Sequence, residues 1–275
     1  MKLLLEILNP VSFFMLFKKE SYLLFQLVQR NLFSRYKGSL LGLFWSFVQP
    51  LMMLCVYTFV FSVVFKARWG VDAGDSKGAF AVIMFSGITV FNIFAESVTT
   101  SCGVIVSNPN YVKKVVFPLE ILPLAQVLSS FLLSIVWFLL LFLGTVFILG
   151  KLSFTLLLLP LVLLPLFFLT LGISFFVASL GVYIRDTSYA IQVILQILFF
   201  MTPIFYPIEA IPEKYRLLLQ LNPLTVLIEE VRKVFLFGQL PNWTFLGVTL
   251  LVSLVVLQLG FVWFRRTRKG FADVI

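Results

Sequence analysis

One ionisable residue stands inside an otherwise apolar run. It is Glu96, within Ala79–Cys102. A carboxylate in such a setting is expensive, and it marks either an ion or proton pathway or a tightly partnered structural group. Two readings therefore stand: a relay residue, or a carboxyl hydrogen-bonded to a neighbouring helix beside Asn92, Thr99 or Thr100. A proton relay normally needs a chain of such groups, and a single Glu makes a poor chain. A second chemistry lies in Ser21–Lys37, SYLLFQLVQRNLFSRYK, where Arg30, Arg35 and Lys37 punctuate an apolar pattern. Cations so placed meet phosphates at a lipid surface. A third lies in the aromatics, 17% of the chain with 33 Phe. Most of these belong to lipid contact and packing. Phe44, Trp45, Phe47, Tyr57 and Phe59 recur along one stretch, and Phe199, Phe200, Phe205 and Tyr206 cluster in another. Aromatic faces stack on sugar rings without the fixed grip of hydrogen bonds, which suits a chain that slides. Gln192 and Gln196, four apart and so on one helix face, either present amides to hydroxyls or glue helices together.

Other chemistries are absent from the sequence. Histidine does not occur, which removes the commonest general base and metal ligand. Cys55 and Cys102 lie in apolar runs and form neither a disulfide framework nor a zinc site. The nearest approach to a phosphate-binding loop is Gly144-TVFIL-Gly150-Lys151-Leu152. Its glycine spacing is one residue too long, and Leu stands where Ser or Thr would hold Mg²⁺. This chain is not expected to hydrolyse ATP alone, to bind a metal or to carry a cofactor.

The elements that must position these groups are membrane helices. Hydrophobic residues make up 61% and charged residues 12% of the 275, far from the roughly 25% charge of a soluble chain. The fold class expected is all-α integral membrane, one domain over residues 1–275. A crossing helix takes about 20 apolar residues, and six stretches qualify: 44–65, 79–102, 121–149, 152–184, 187–208 and 243–264. Pro160 and Pro165 should bend the fourth. Ser21–Lys37 reads as an amphipathic helix on the membrane surface, joined directly to the first crossing. Met1–Phe17 reads as a retained cytoplasmic segment, because Glu6, Asn9 and Pro10 interrupt it and no A-x-A cleavage site follows.

Six crossings put both ends on one side. With both ends inside, the inner segments hold most of the 21 basic residues. The net charge of +9 is then the excess of cytoplasmic Lys and Arg rather than a nucleic-acid surface. The inner loop Ser107–Pro123 can form a short surface helix between Asn110 and Phe117. Arg185-Asp186 reads as an adjacent ion pair in a tight inner turn. In the long outer segment 207–242, Asn222-Pro223 suits an N-cap with proline in the first turn. The helix after it, with Glu229, Glu230, Arg232 and Lys233 among Val226, Val231 and Phe235, reads as amphipathic at an interface.

Five motifs occur in a telling order: SRYKGSLLGLFWSFVQPL (Ser34–Leu51), VVFPLEILPLAQVLS (Val115–Ser129), YIRDT (Tyr183–Thr187), MTPIFYPIEAIPEKYR (Met201–Arg216) and LNPLT-x₃-EEVR (Leu221–Arg232). Together they resemble the type-2 ABC exporter permeases that move polysaccharides, among them the Wzm-type O-antigen permeases and the capsule and teichoic-acid permeases. The resemblance covers the chain from Gln29 onward.

That resemblance implies a homodimer of six-crossing subunits in the bacterial inner membrane, both termini cytoplasmic, with two copies of a separate ABC ATPase that holds ATP and Mg²⁺. It implies that 21–37 is an interface or gate helix and that 107–120 is a coupling loop. Within that loop Asn108, Tyr111, Lys113, Lys114 and Phe117 would meet the ATPase, with Arg185 and Asp186 nearby. Residues 207–242 would be outer re-entrant helices. The path would run between protomers along the first and fifth crossings, and the cargo would be a polyprenyl-diphosphate-linked glycan. Charge complementarity makes Arg30, Arg35 and Lys37 partners for the diphosphate. Competing classes are a type-2 permease for drugs or another lipid, a proton-driven carrier relying on Glu96, and an intramembrane glycosyltransferase, for which paired acids are missing.

Overall fold

The computed structural model describes residues 20–35, 37–39, 42–64, 69, 77–113, 117–150 and 152–275. Met1–Phe17, most of the segment 66–78 and Lys114 lie outside these residues. Among the described residues the secondary structure is helical, with no strand.

The surface helix is α1 (Ser21–Ser34). It stops three residues short of the expected Lys37, so Arg35 and Lys37 stand on the turn that follows. Gly38, at φ 87°, bends the chain there, a conformation open to glycine because it has no Cβ. A short 3₁₀ turn, Gly42–Phe44, then leads into α2 (Trp45–Tyr57), which continues as a π-helical segment to Val64. The remaining helices are α3 (Lys77–Cys102), α4 (Pro109–Lys113), α5 (Ile121–Gly144, extended by a π turn to Leu149), α6 (Leu159–Tyr183), α7 (Thr187–Met201), α8 (Glu213–Gln220), α9 (Pro223–Arg232), α10 (Trp243–Thr267) and the terminal turn α11 (Phe271–Val274). Pro160 falls in the first turn of α6, where no intrahelical donor is lost, while Pro165 lies inside the helix.

Among the described residues, four helical spans are long and apolar enough to cross a membrane: Gly78–Cys102, Ile121–Leu149, Phe154–Tyr183 and Trp243–Val274. The first and fifth apolar stretches form shorter helices. The fifth ends at Met201 rather than 208. Thr202 is extended, at φ −103° and ψ 139°, as the residue before a proline prefers, and Pro203 follows.

Helix α3 is the centre of the bundle. Its residues from Ala79 to Phe91 are buried without interruption, so no face is left for lipid. A helix that is apolar all round belongs in such a place. Its hydroxyls close back on its own carbonyls: Ser86 on Ile83 at 2.6 Å, Thr89 on Phe85 at 2.8 Å and Ser97 on Ile93 at 2.7 Å. Around it, the fourth and sixth segments meet backbone to backbone. A Cβ added at Gly172 would lie 2.6 Å from Leu257 Cα, and one at Gly260 would fall on the Gly172 carbonyl. Small residues let helices approach this closely where lipid offers no hydrophobic drive for association.

Helix α9 corrects the amphipathic reading. Its polar residues point inward: Arg232 is fully buried and Glu230 nearly so. Arg232 donates to the carbonyls of Pro203 at 2.8 Å and Ile204 at 3.2 Å, pairs with Glu229 at 2.7 Å and lies 4.3 Å from the centre of the Trp69 ring. The chain after α7 is irregular yet buried at residues 202–205. Such backbone needs its carbonyls satisfied from within the protein, and Arg232 supplies the donors. Burial lowers the Arg232 pKa and the facing Glu229 raises it, and a guanidinium stays charged under that balance. Asn222 caps the helix as expected, accepting from the Leu224 amide at 3.0 Å.

Replacing Gly260 by Val puts a side chain on the Gly172 backbone and should cost about 1–3 kcal/mol. In detergent it should lower the melting temperature and the yield of folded protein. Gly247→Ala, on the same helix with nothing within 4 Å of the new Cβ, should leave both unchanged.

Candidate functional site

The first part of the site is built where α1 meets the loop after α3. Leu24, Leu27 and Val28 of α1 are buried in a cluster with Leu119, Ile121, Leu124, Phe264 and Phe271. Arg30 stands on the flank of that buried stripe. Its guanidinium donates to Tyr111 Oη at 3.2 Å and Asn108 Oδ1 at 3.4 Å, and sits 5.8 Å from the Tyr111 ring centre. Asn108 is fixed in turn, because its amide donates to the Val104 carbonyl at 2.8 Å. The Tyr111 ring stacks on Phe117 with centroids 4.4 Å apart. Asn108, Tyr111 and Phe117 thus form one polar and aromatic platform, and α1 is tied to it. Lys113 is exposed at the end of α4.

The second part is five residues further on. Arg35 forms an ion pair with Glu96 of α3, and Ser130 of α5 donates to the same carboxylate oxygen at 3.3 Å. Glu96 therefore carries an inter-segment pair, and its partner is not among the neighbours Asn92, Thr99 and Thr100. Thr100 instead donates back to the Glu96 carbonyl at 2.8 Å. Lys37 is exposed. A family model for the ABC-2 type transporter matches residues 22–236, from the first turn of α1 to just past the end of α9.

This chain belongs to the ABC-2 transporter family. It is 32% identical over 259 residues to an O-antigen export system permease protein, RfbA, of Myxococcus xanthus, covering 92% of this chain and 95% of that one. It is 27% identical over 255 residues to the protein of the same name from Klebsiella pneumoniae, with the same coverage. It is 24% identical over 246 residues to the polysialic acid transport protein KpsM of Escherichia coli, covering 88% and 92%. It is a multi-pass membrane protein, and members of the family are transmembrane subunits rather than ATPases.

Within this transporter the aromatic residues divide into two groups. Tyr57 and Phe199 turn inward and join α2 to α7 through Phe61 and Phe205. Phe61 stacks on Phe205 at 4.3 Å, Tyr57 meets Phe205 at 5.5 Å, and Phe199 lies 5.1 Å from Phe205 and 5.0 Å from Phe91 of α3. Tyr206 is half-buried and donates to the Phe200 carbonyl at 3.0 Å. Phe44, Trp45, Phe47, Phe59 and Phe200 remain exposed on the surface of the single chain. Gln192 and Gln196 are exposed on α7 as well. The two apolar stretches singled out in the sequence do touch, but part of the aromatic set is spent on holding them together.

At Arg185-Asp186 the expected adjacent ion pair is not formed. Both side chains are exposed and unpaired among the described residues, since successive residues at a helix end point in different directions. Contacts missed from the sequence occupy this region. Arg268 pairs with the buried Glu120 at 2.5 Å, the Tyr183 hydroxyl donates to the Thr267 carbonyl at 2.6 Å, and Phe271 packs against Tyr183 and Phe264. Glu120 beside the apolar run at Ile121 was the available signal, because a buried acid demands a cation.

A double-mutant cycle tests the pair between the α1 turn and α3. Arg35→Ala and Glu96→Ala should each lower thermal stability, and the coupling between them should be about 1 kcal/mol, as for a partly exposed ion pair. Additive losses would mean that the two side chains do not interact.

Proposed function

We propose that this chain is the permease subunit of an ATP-driven polysaccharide exporter, working as a homodimer in the bacterial inner membrane with both termini in the cytoplasm. The observation that carries the reading is the Arg30 bridge from α1 to Asn108 and Tyr111, in a chain whose O-antigen and polysialic acid relatives match it over nearly their whole length. A surface helix tied to a cytoplasmic loop is what a permease needs if a separate subunit is to drive it.

In this reading α4 and its flanks, with Lys113, Lys114 and the Arg185-Asp186 turn, dock a partner ABC ATPase present in two copies. ATP and Mg²⁺ belong to that partner. Displacement of α4 pulls α1 through Arg30, and α1 in turn loads the Arg35–Glu96 pair. Release of that pair frees Arg35, beside Arg30 and Lys37, to meet the diphosphate of a polyprenyl-linked glycan. The α2–α7 pair then re-poses. The glycan advances between protomers along Phe44, Trp45, Phe47, Phe59 and Phe200, with Gln192 and Gln196 offering amides to its hydroxyls. In this reading the chain crosses six times, and segment 207–242 lies at the outer face, where it caps the exit.

Tagged protein purified from native membranes should bring down an ABC ATPase at a one-to-one ratio and a polyprenyl-linked sugar. An ATPase without glycan would redirect the substrate to drugs or another lipid, and no ATPase would overturn the reading. Replacing Lys113 and Lys114 by Ala should reduce the recovered ATPase severalfold. Unchanged recovery would remove them from the docking surface.

Export by Arg35→Ala and Lys37→Ala variants should slow by about tenfold, as expected for a lost charge-assisted contact of roughly 1.5–3 kcal/mol partly compensated by its neighbours. Export at the normal rate in both would sink the diphosphate role.

A further inference from the structure

A cleft of about 290 Å³ opens beside the Arg35–Glu96 pair, between α2, α3 and α5. Its walls are unusual for a membrane bundle. Gln49 reaches it from α2, Asn92 and Thr99 from α3, and the Trp137 ring from α5. Among the described residues none of the side chains of Gln49, Asn92 and Thr99 has a hydrogen-bond partner. Gln49 is exposed and Asn92 and Thr99 are half-buried, so two carboxamides and a hydroxyl open onto the cleft with their donors and acceptors free for a polar ligand. Thr100, also on the wall, spends its hydroxyl hydrogen on the Glu96 carbonyl and keeps its lone pairs.

The chemistry of the wall limits what that something is. Arg35 and Glu96 neutralise each other at the rim, so the cleft has no net charge to hold an anion. Carboxamides and hydroxyls each donate and accept, which matches a ligand whose groups also do both. One face of Trp137 stacks on Phe85 at 5.7 Å and 11°, which sets the indole firmly as an apolar wall. Paired donors and acceptors around an aromatic wall are the complement of a sugar ring. The volume is at the low end of small-molecule sites, roughly 300–1,000 Å³, so it admits one ring and not a chain.

We infer that this cleft within the protomer binds a single neutral sugar unit, through Gln49, Asn92 and Thr99 with Trp137 as its apolar wall, next to the gate formed by Arg35 and Glu96. The inference rests on the exporter reading and deepens it. The unit bound is the lipid-proximal sugar, read before the glycan enters the path between protomers.

The test uses the complete exporter, this chain with its ATPase, in lipid nanodiscs. Three probes are titrated: a polyprenyl-diphosphate disaccharide, the same polyprenyl diphosphate without sugar, and a glycosyl diacylglycerol. Wild-type protein should bind the disaccharide lipid more tightly than the sugarless one, with the glycosyl diacylglycerol competing for the sugar-dependent part. Gln49→Leu and Asn92→Leu should each weaken the disaccharide lipid about tenfold and leave the sugarless lipid unchanged. Thr99→Val, equal in shape, should act in the same direction by a smaller factor. Gln49 is exposed, so its replacement spares the fold and carries the test if Asn92→Leu is unstable. Equal affinity for the two polyprenyl lipids in wild type, or variants that weaken both alike, would overturn the cleft while leaving the exporter reading intact. Binding of neither polyprenyl lipid would defeat the exporter reading itself, and the cleft assignment with it.

Discussion

A charged or polar group inside a hydrocarbon layer has no water to turn to, so each one must find its partner within the protein. That constraint explains where the few charges of this chain go. Arg35 takes Glu96 across from the α1 turn to α3. Arg232 takes the carbonyls that the end of α7 leaves bare, together with Glu229. Arg268 takes Glu120 at the start of α5. Two of these three pairs join segments far apart in sequence, and Arg232 does the same through its backbone partners. With so little charge available, electrostatics here acts as a set of discrete ties between helices that are otherwise apolar.

The ties are arranged around a rigid frame. Helix α3 is wrapped on all sides through its first half, and α6 and α10 touch at glycine backbones that admit no side chain. Against that frame α1 is held differently. Three apolar residues seat one face, while Arg30 links it to the loop after α3 and Arg35 to the body of α3. Partly exposed ion pairs and long hydrogen bonds exchange more readily than buried backbone contacts. On the function proposed above, the element that moves is the one held by polar ties, and the elements that stay are held by packing.

Aromatic residues show how one residue type serves two ends. Tyr57, Phe61, Phe199 and Phe205 interlock α2 with α7. Phe44, Trp45, Phe47 and Phe59 stay on the surface of the same helix or its entry turn. Spacing along α2 does not separate the two groups, because a helix apolar on every face carries no period from which to read inside and outside. Only the position of α7 decides it.

Four of the six apolar runs form helices of crossing size and were legible because the signal is length, and the N-cap at Asn222 follows from local chemistry in the same way. That Arg30, Arg35 and Glu96 are chemically exceptional was also legible, since charges are rare enough here to be counted. Their partners were not. Glu96 has Asn92, Thr99 and Thr100 close by in sequence, yet it pairs with a residue 61 positions away. Helix α9 reads as amphipathic and is instead turned inward, because the end of helix α7 at Thr202-Pro203 leaves the carbonyls of Pro203 and Ile204 for a buried donor to satisfy. The Arg185-Asp186 pair failed for the opposite reason, adjacency in sequence being no guarantee of contact in space. The sequence by itself determined that the chain lives in a membrane, where its helices run and which residues are chemically exceptional, because those depend on local composition and length. The tertiary structure alone decided which exceptional residues meet, because in an apolar bundle polar partners are chosen by helix packing and not by distance along the chain.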